Sequence, residues 1–185
     1  MESRKWETAF VGGGCFWCME ASLSQIKGIL KVESGHMGGK EANPTYEAVC
    51  KGETGHAEAV RIEFDPSVIS YSEVLEVFFS AHDPTTLDRQ GDDVGRHYRS
   101  VIFQMNERQG HEARQVIARL TEEEMFDAPI VTSIEPAGVF WKAEDYHQNY
   151  FANNPEFWYC KTDIAPKVAK VRAKFADRLK PMEAF

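Results

Sequence analysis

The residues of this sequence best suited to chemistry are Cys15 and Cys18, in Gly13-Gly14-Cys15-Phe16-Trp17-Cys18. Cys15 stands where a glycine-rich turn leads into a helix, so unpaired N–H groups and the positive helix end would stabilise a thiolate and make it a nucleophile. The plainer alternative is an inert core cysteine beside Phe16 and Trp17. The Cys-x-x-Cys spacing also fits a thiol-disulfide oxidoreductase pair or half of a zinc site. Zinc would need two more ligands, yet neither Cys50, Cys160 nor the six histidines form a second closely spaced pair. A thioredoxin-like pair usually has its aromatic before the first cysteine, whereas here Phe16 and Trp17 lie between the two.

Glu58 is the second informative residue. Strict alternation from His56 to Phe64 puts Glu58, Val60, Ile62 and Phe64 on one face and Ala57, Ala59, Arg61 and Glu63 on the other. A carboxyl buried with that apolar face stays protonated at neutral pH and can donate its proton. An exposed glutamate at a strand end is the alternative. Tyr46 and Tyr98 lie beside Gly/Pro-rich turns, where each phenol either lines a pocket rim or packs as an ordinary aromatic. His56, His82 and His147 read first as packing or capping residues.

These residues need a scaffold. Ala9-Phe10-Val11 reads as a strand entering the glycine turn, a helix follows from near Cys15 (Phe16, Met19, Leu23, Ile26), and Gly28 ends it before a strand at Ile29–Val32. After the His56–Phe64 strand, Ser70 and Glu73 form a capping box ahead of Tyr71, Val74, Leu75, Phe78 and Phe79. The next strand is expected over His97–Phe103, then a helix near Glu107–Leu120 and a strand at Ile130–Ile134. Val139–Asn149 reads as partly helical. Segment 153–166 reads as an irregular, mobile loop carrying Cys160, and a helix is expected over about 167–180, with a solvated basic face (Lys170, Lys174, Arg178). The order is that of an α+β fold with a ferredoxin-like split βαβ core, an added helix and strand, and a long irregular C-terminal segment. Residues 1–185 are expected to form one catalytic domain.

The chain has 185 residues, 43% of them apolar, and a net charge of −8 that disfavours nucleic acid and anionic membranes. The charged start lacks the apolar run of a secretory signal, and no stretch is long enough to span a bilayer, so a cytoplasmic protein with working thiols is expected.

The sequence resembles the A-type peptide methionine sulfoxide reductases. The resemblance rests on Gly14-Cys15-Phe16-Trp17, Pro44-Thr45-Tyr46-Glu47 with Val49-Cys50, Thr54-Gly55-His56-Ala57-Glu58 and His82-Asp83-Pro84-Thr85-Thr86. It continues through Arg89-Gln90-Gly91, Asp93 with Gly95, Tyr98-Arg99-Ser100 and Ala143-Glu144-Asp145-Tyr146-His147-Gln148, in family order. It implies that Cys15 attacks the sulfur of methionine-S-sulfoxide, free or in oxidised proteins under repair. Glu58, assisted by Tyr46 and Tyr98, would protonate the departing oxygen. Phe16 and Trp17 would form the wall for the substrate methyl, and Asp93 would help arrange the polar side. Cys15 would become a sulfenic acid, cleared by a second thiol and recycled by thioredoxin, or by dithiothreitol in vitro, with no bound cofactor and no metal.

Two cysteines compete as the resolving thiol. Cys160 lies where family members often keep a mobile resolving cysteine. Cys18 stands where many carry glycine, and a Cys15–Cys18 disulfide within one helical turn would be strained, so Cys160 is expected to resolve first. Cys50 matches a common family cysteine without a role. Asp92, Arg96 and His97 depart from the usual pattern, which has asparagine first and threonine-glutamine before the tyrosine.

Overall fold

The computed structural model describes residues 5–181. A six-stranded sheet organises them, in the order Ser133–Pro136, Val101–Gln104, Glu7–Gly12, Ala57–Phe64, Ile29–Met37 and Trp141–Lys142. Strand β1 (Glu7–Gly12) leads to helix α1 (Phe16–Leu23) and then to β2 (Ile29–Met37). The short helix α2 (Tyr46–Cys50) precedes β3 (Ala57–Phe64), which pairs antiparallel with both β1 and β2. Thus β3 separates two parallel strands joined by a helix, the split βαβ arrangement expected from the element order. Helix α3 (Tyr71–Ser80) starts with the expected capping box: Ser70 N–H donates to Glu73 at 2.8 Å, and Glu73 N–H to Ser70 Oγ at 3.2 Å.

A two-stranded ribbon, β4 (Arg89–Gln90) with β5 (Asp93–Val94), precedes β6 (Val101–Gln104) on the outer side of β1. The strand expected from His97 starts later, because Gly95 and the Tyr98 N–H···O=C Gly95 bond (3.0 Å) curl Arg96–Tyr98 into a 3-10 turn. Helix α4 (Glu107–Glu122) carries the chain to β7 (Ser133–Pro136), parallel to β6 and three residues beyond the expected start. The 139–149 region gives a strand, β8 (Trp141–Lys142), before its 3-10 turn at Asp145–His147.

Helices cover one face of the sheet, burying Val11, Val60, Ile62, Phe64 and Ile102 against Met19, Leu23, Val74, Phe78 and Val171. Truncating one of these large side chains would cost ~2–5 kcal/mol. Phe10, Met37, Ala57, Ala59 and Phe103 form a smaller cluster on the other face, covered by Phe140. Strand β3 is therefore buried on both sides where it carries Glu58.

The C-terminal expectation needs correction. After α5 (Tyr150–Asn153) only residues 154–157 are non-helical. Helix resumes at Trp158, widens into a π-helical turn over Cys160–Ile164 and continues as α6 (Ala165–Lys174). Burial of Cys160 and Ile164 against Cys18 and Ala21 explains this, a tertiary packing that local periodicity does not report. The helix ends at Lys174, short of 180, and is followed by a 3-10 turn at Ala176–Arg178. Its basic residues are not all solvated: Lys174 donates to Ser80 Oγ (2.8 Å) and Arg178 pairs with Glu73 (2.8 Å), tying this segment to α3. No helix among the described residues is long and apolar enough to cross a membrane.

Candidate active site

The glycine run brings β1 and α1 together. A Cβ on Gly12 would meet the Glu58 carbonyl oxygen at 2.6 Å, and Gly14, at φ +81°, lies as close to the Gln90 side chain. Only glycine permits both approaches, and they set Cys15 at the N-cap of α1. Cys15 is 6% exposed and Glu58 1%.

The helix end does not serve Cys15 as expected. The Phe16 N–H donates to the Glu58 carboxyl at 2.9 Å. Burial, first, raises the Cys15 thiol well above its ordinary range, and hydrogen bonding to Cys18 and the charges of Cys18 and Glu58 add to it. The backbone N–H of Cys18 pulls the other way and loses. The acidified sulfur is instead Cys18. The hydrogen bond with Cys15 lowers its pKa, against burial, and the Lys167 ammonium and Tyr159 hydroxyl contribute at 3.8 and 4.0 Å.

Burial also pushes Glu58 up to about 8, with Asp93 and Cys18 adding and the Phe16 N–H opposing, so the carboxyl is mostly protonated at neutral pH. Tyr46 and Tyr98, both half-buried, are raised by burial and then by Glu58, so both phenols keep their protons. Tyr46 also hydrogen-bonds Cys50 along α2.

The aromatic residues converge as well. Phe16 is buried, with its ring 5.9 Å from that of Tyr46 and 5.5 Å from that of His36. The half-buried Trp17 stacks on Tyr150 at 3.8 Å, with the two rings nearly parallel, and its indole N–H donates to His147 Nδ1 at 3.0 Å. Burial lowers the His147 pKa, so its ring is neutral and accepts this bond. Asp93 accepts a 2.6 Å hydrogen bond from Tyr159. Cys15, Cys18 and Cys160 belong to one buried apolar cluster with Ile164 and Val168, bordered by Trp17, Tyr150 and Tyr159. Cys160 is fully buried, and burial followed by the Cys18 charge raises its pKa.

Sequence reasoning missed four participants: Tyr159, Tyr150, Lys167 and Glu20. Glu20 is a buried carboxyl, pushed up to about 7 by burial, that accepts the Asn149 N–H at 3.0 Å and anchors α5 beside Trp17. All but Glu20 lie in or beside the segment read as a loop. His147, read as packing, orients Trp17. The zinc alternative finds no third convergent ligand beside Cys15 and Cys18 among the described residues.

Comparison with known proteins agrees with this geometry. The profile of the family described as "Peptide methionine sulfoxide reductase" matches residues 7–179. A Deinococcus radiodurans protein named "Peptide methionine sulfoxide reductase MsrA" is 55% identical over 174 residues, covering 94% of this chain and 84% of its own. Mxr1 from Saccharomyces cerevisiae in reduced form superposes with a TM-score of 0.78 at 32% identity, over 84% of this chain and 90% of that one. A crystal structure of Mxr1 in complex with Trx2 shares the fold (TM-score 0.57, 23% identity, 80% of this chain and 87% of that one). The ordered motifs, the split sheet that carries them and these relatives lead to one conclusion: the chain belongs to the peptide methionine sulfoxide reductase family.

Proposed function

We propose that this chain reduces methionine-S-sulfoxide, protein-bound and free, to methionine, and that residues 1–185 act as one catalytic domain. The observation that carries the reading is the approach of a thiol and a protonated carboxyl, Cys15 and Glu58, at the start of α1, with two protonated phenols beside them. A sulfoxide oxygen leaves only when protonated, and an acid of pKa about 8 is matched to that task near neutrality. Cys15 sulfur attacks the sulfoxide sulfur as Glu58 protonates the oxygen, with Tyr46 and Tyr98 hydrogen-bonded to it, and the Cys15 thiol proton returns to the Glu58 carboxylate. Methionine leaves, and Cys15 becomes a sulfenic acid. Phe16 and Trp17 hold the methyl group, and Asp93 orders the polar side.

The same geometry supports Cys18, rather than Cys160, as the first thiol to meet the sulfenic acid. Cys18 already hydrogen-bonds Cys15, and it is the more acidic sulfur of the pair. Its attack releases water and forms a Cys15–Cys18 disulfide. Cys160, buried in the same cluster, then exchanges to give Cys18–Cys160 and free Cys15. Thioredoxin opens that disulfide, as the Trx2 complex of Mxr1 suggests by kinship, and dithiothreitol substitutes in vitro. The four free cysteines suit a reducing cytoplasm, and the net charge of −8 disfavours polyanionic partners. No bound cofactor enters these steps.

Incubation with resolved sulfoxide epimers and dithiothreitol tests the reading. The S form is reduced and the R form is not; equal or absent turnover of the S form refutes it. A second reading, general thiol-disulfide exchange at Cys15 and Cys18, draws on the contact between those two thiols. Insulin reduction without sulfoxide turnover would establish it instead.

A further inference from the structure

Beside the two phenols, Glu58 meets two side chains that the reduction does not use, Cys50 and His97. Cys50 ends α2, Glu58 lies on β3 and His97 belongs to the turn before β6, yet one donor atom from each lies within 4.8 Å of the other two. Cys50 is half-buried, and the other two residues are nine-tenths or more buried. His97 Nδ1 is buried without a hydrogen-bond partner, which costs ~1–3 kcal/mol in a protein interior. The His97 ring therefore sits inside the protein only partly satisfied, beside a thiol and a carboxyl.

We propose that Cys50 sulfur, the Glu58 carboxylate and a His97 ring nitrogen form a zinc(II) site, and that zinc bound there switches off sulfoxide reduction. The donor set is the mixed sulfur, nitrogen and oxygen set zinc accepts, and thiolate plus carboxylate balance its two charges. Zinc bonds of ~2.0–2.3 Å in a tetrahedron place donors roughly 3.5 Å apart, a modest closure from the separation present. Tyr46, hydrogen-bonded to Cys50, supplies an outer-shell partner, and half-exposed Cys50 provides entry. Three protein ligands leave the fourth position to water. Binding displaces the protons of Cys50 and Glu58. The inhibitory half of the proposal rests on the reading of Glu58 as proton donor; the binding half does not. Among the described residues no other three His, Cys, Asp or Glu side chains converge in this way.

Cobalt(II), which reports a bound thiolate by its charge-transfer absorption, tests the binding. In the reduced protein with Cys15, Cys18 and Cys160 all changed to serine, the band appears. Adding Cys50→Ser abolishes it, and adding His97→Gln weakens zinc affinity at least tenfold in competition with a chromogenic chelator. No band in the triple variant, or unchanged affinity with His97→Gln, overturns the proposal. In the otherwise unaltered protein, one equivalent of zinc suppresses single-turnover methionine release measured without added thiol, and His97→Gln restores release while leaving the metal-free rate intact. Inhibition that persists unchanged in His97→Gln overturns the switch. Failure of metal-free release in the unaltered protein would count against the reductase reading, which the cobalt band does not need.

Discussion

The Phe16 N–H and the Glu58 carboxyl meet at 2.9 Å, so the first backbone donor of α1 holds this carboxyl rather than the Cys15 thiol. This contact fixes where Glu58 points. It also divides the labour: burial keeps a proton on the carboxyl, and the helix end orients it.

Glu58→Gln keeps an oxygen acceptor for Phe16 N–H but has no proton to give. We expect a loss of roughly 10²–10⁴-fold in first-turnover methionine release at neutral pH. The wild-type rate falls as pH rises through about 8, where Glu58 loses its proton, so the deficit of the variant narrows there. A constant ratio of rates across the pH range would contradict the role.

Glu20 gives a stability prediction. Its folded pKa of about 7 exceeds the ordinary value of 4.5, so the folded chain holds more protons than the unfolded chain between those values, and stability falls as pH rises through that window. A shift of this size corresponds to up to ~3 kcal/mol. Glu20→Gln removes this share of the slope, while Glu58, shifted in the same direction, keeps some of it. Urea midpoints at pH 5 and 7.5 measure the difference.

Lys167 holds its ammonium 3.8 Å from Cys18. Lys167→Met removes a contribution of about 1 kcal/mol to thiolate stability at a partly solvated site, and Cys18 then ionises less readily. The sulfenic acid on Cys15, trapped by a dione reagent during a single turnover, should live roughly fivefold longer at neutral pH. Lys167→Arg restores the charge and most of the rate, and methionine release itself is unaffected.

The α3 capping box is independent of catalysis. Ser70→Ala removes the acceptor of the Glu73 N–H and should cost ~1 kcal/mol in equilibrium unfolding, with unchanged turnover.

Much of the scaffold is legible in the sequence because its signals are local. The alternation around Glu58 requires one buried face, and Ser70 with Glu73 specifies a helix start before any tertiary contact forms. Other features depend on distant partners. The charge state of Cys15 cannot be read from its position at a helix start, because burial and the hydrogen bond to Cys18 outweigh the one helix N–H, that of Cys18, that favours the thiolate. Cys160 looks like part of a loop because Asn153-Asn154-Pro155 breaks the pattern; its helix exists because α1 offers Cys18 and Ala21 to pack against. Trp17 suggests a substrate wall, but nothing near it in sequence announces His147 and Tyr150, which set its plane.

Tyr159 and Cys160 share a peptide bond, and the first is tethered to Asp93 while the second lies buried beside Cys18. One peptide unit thus joins two separate parts of the fold, β5 through Asp93 and α1 through Cys18.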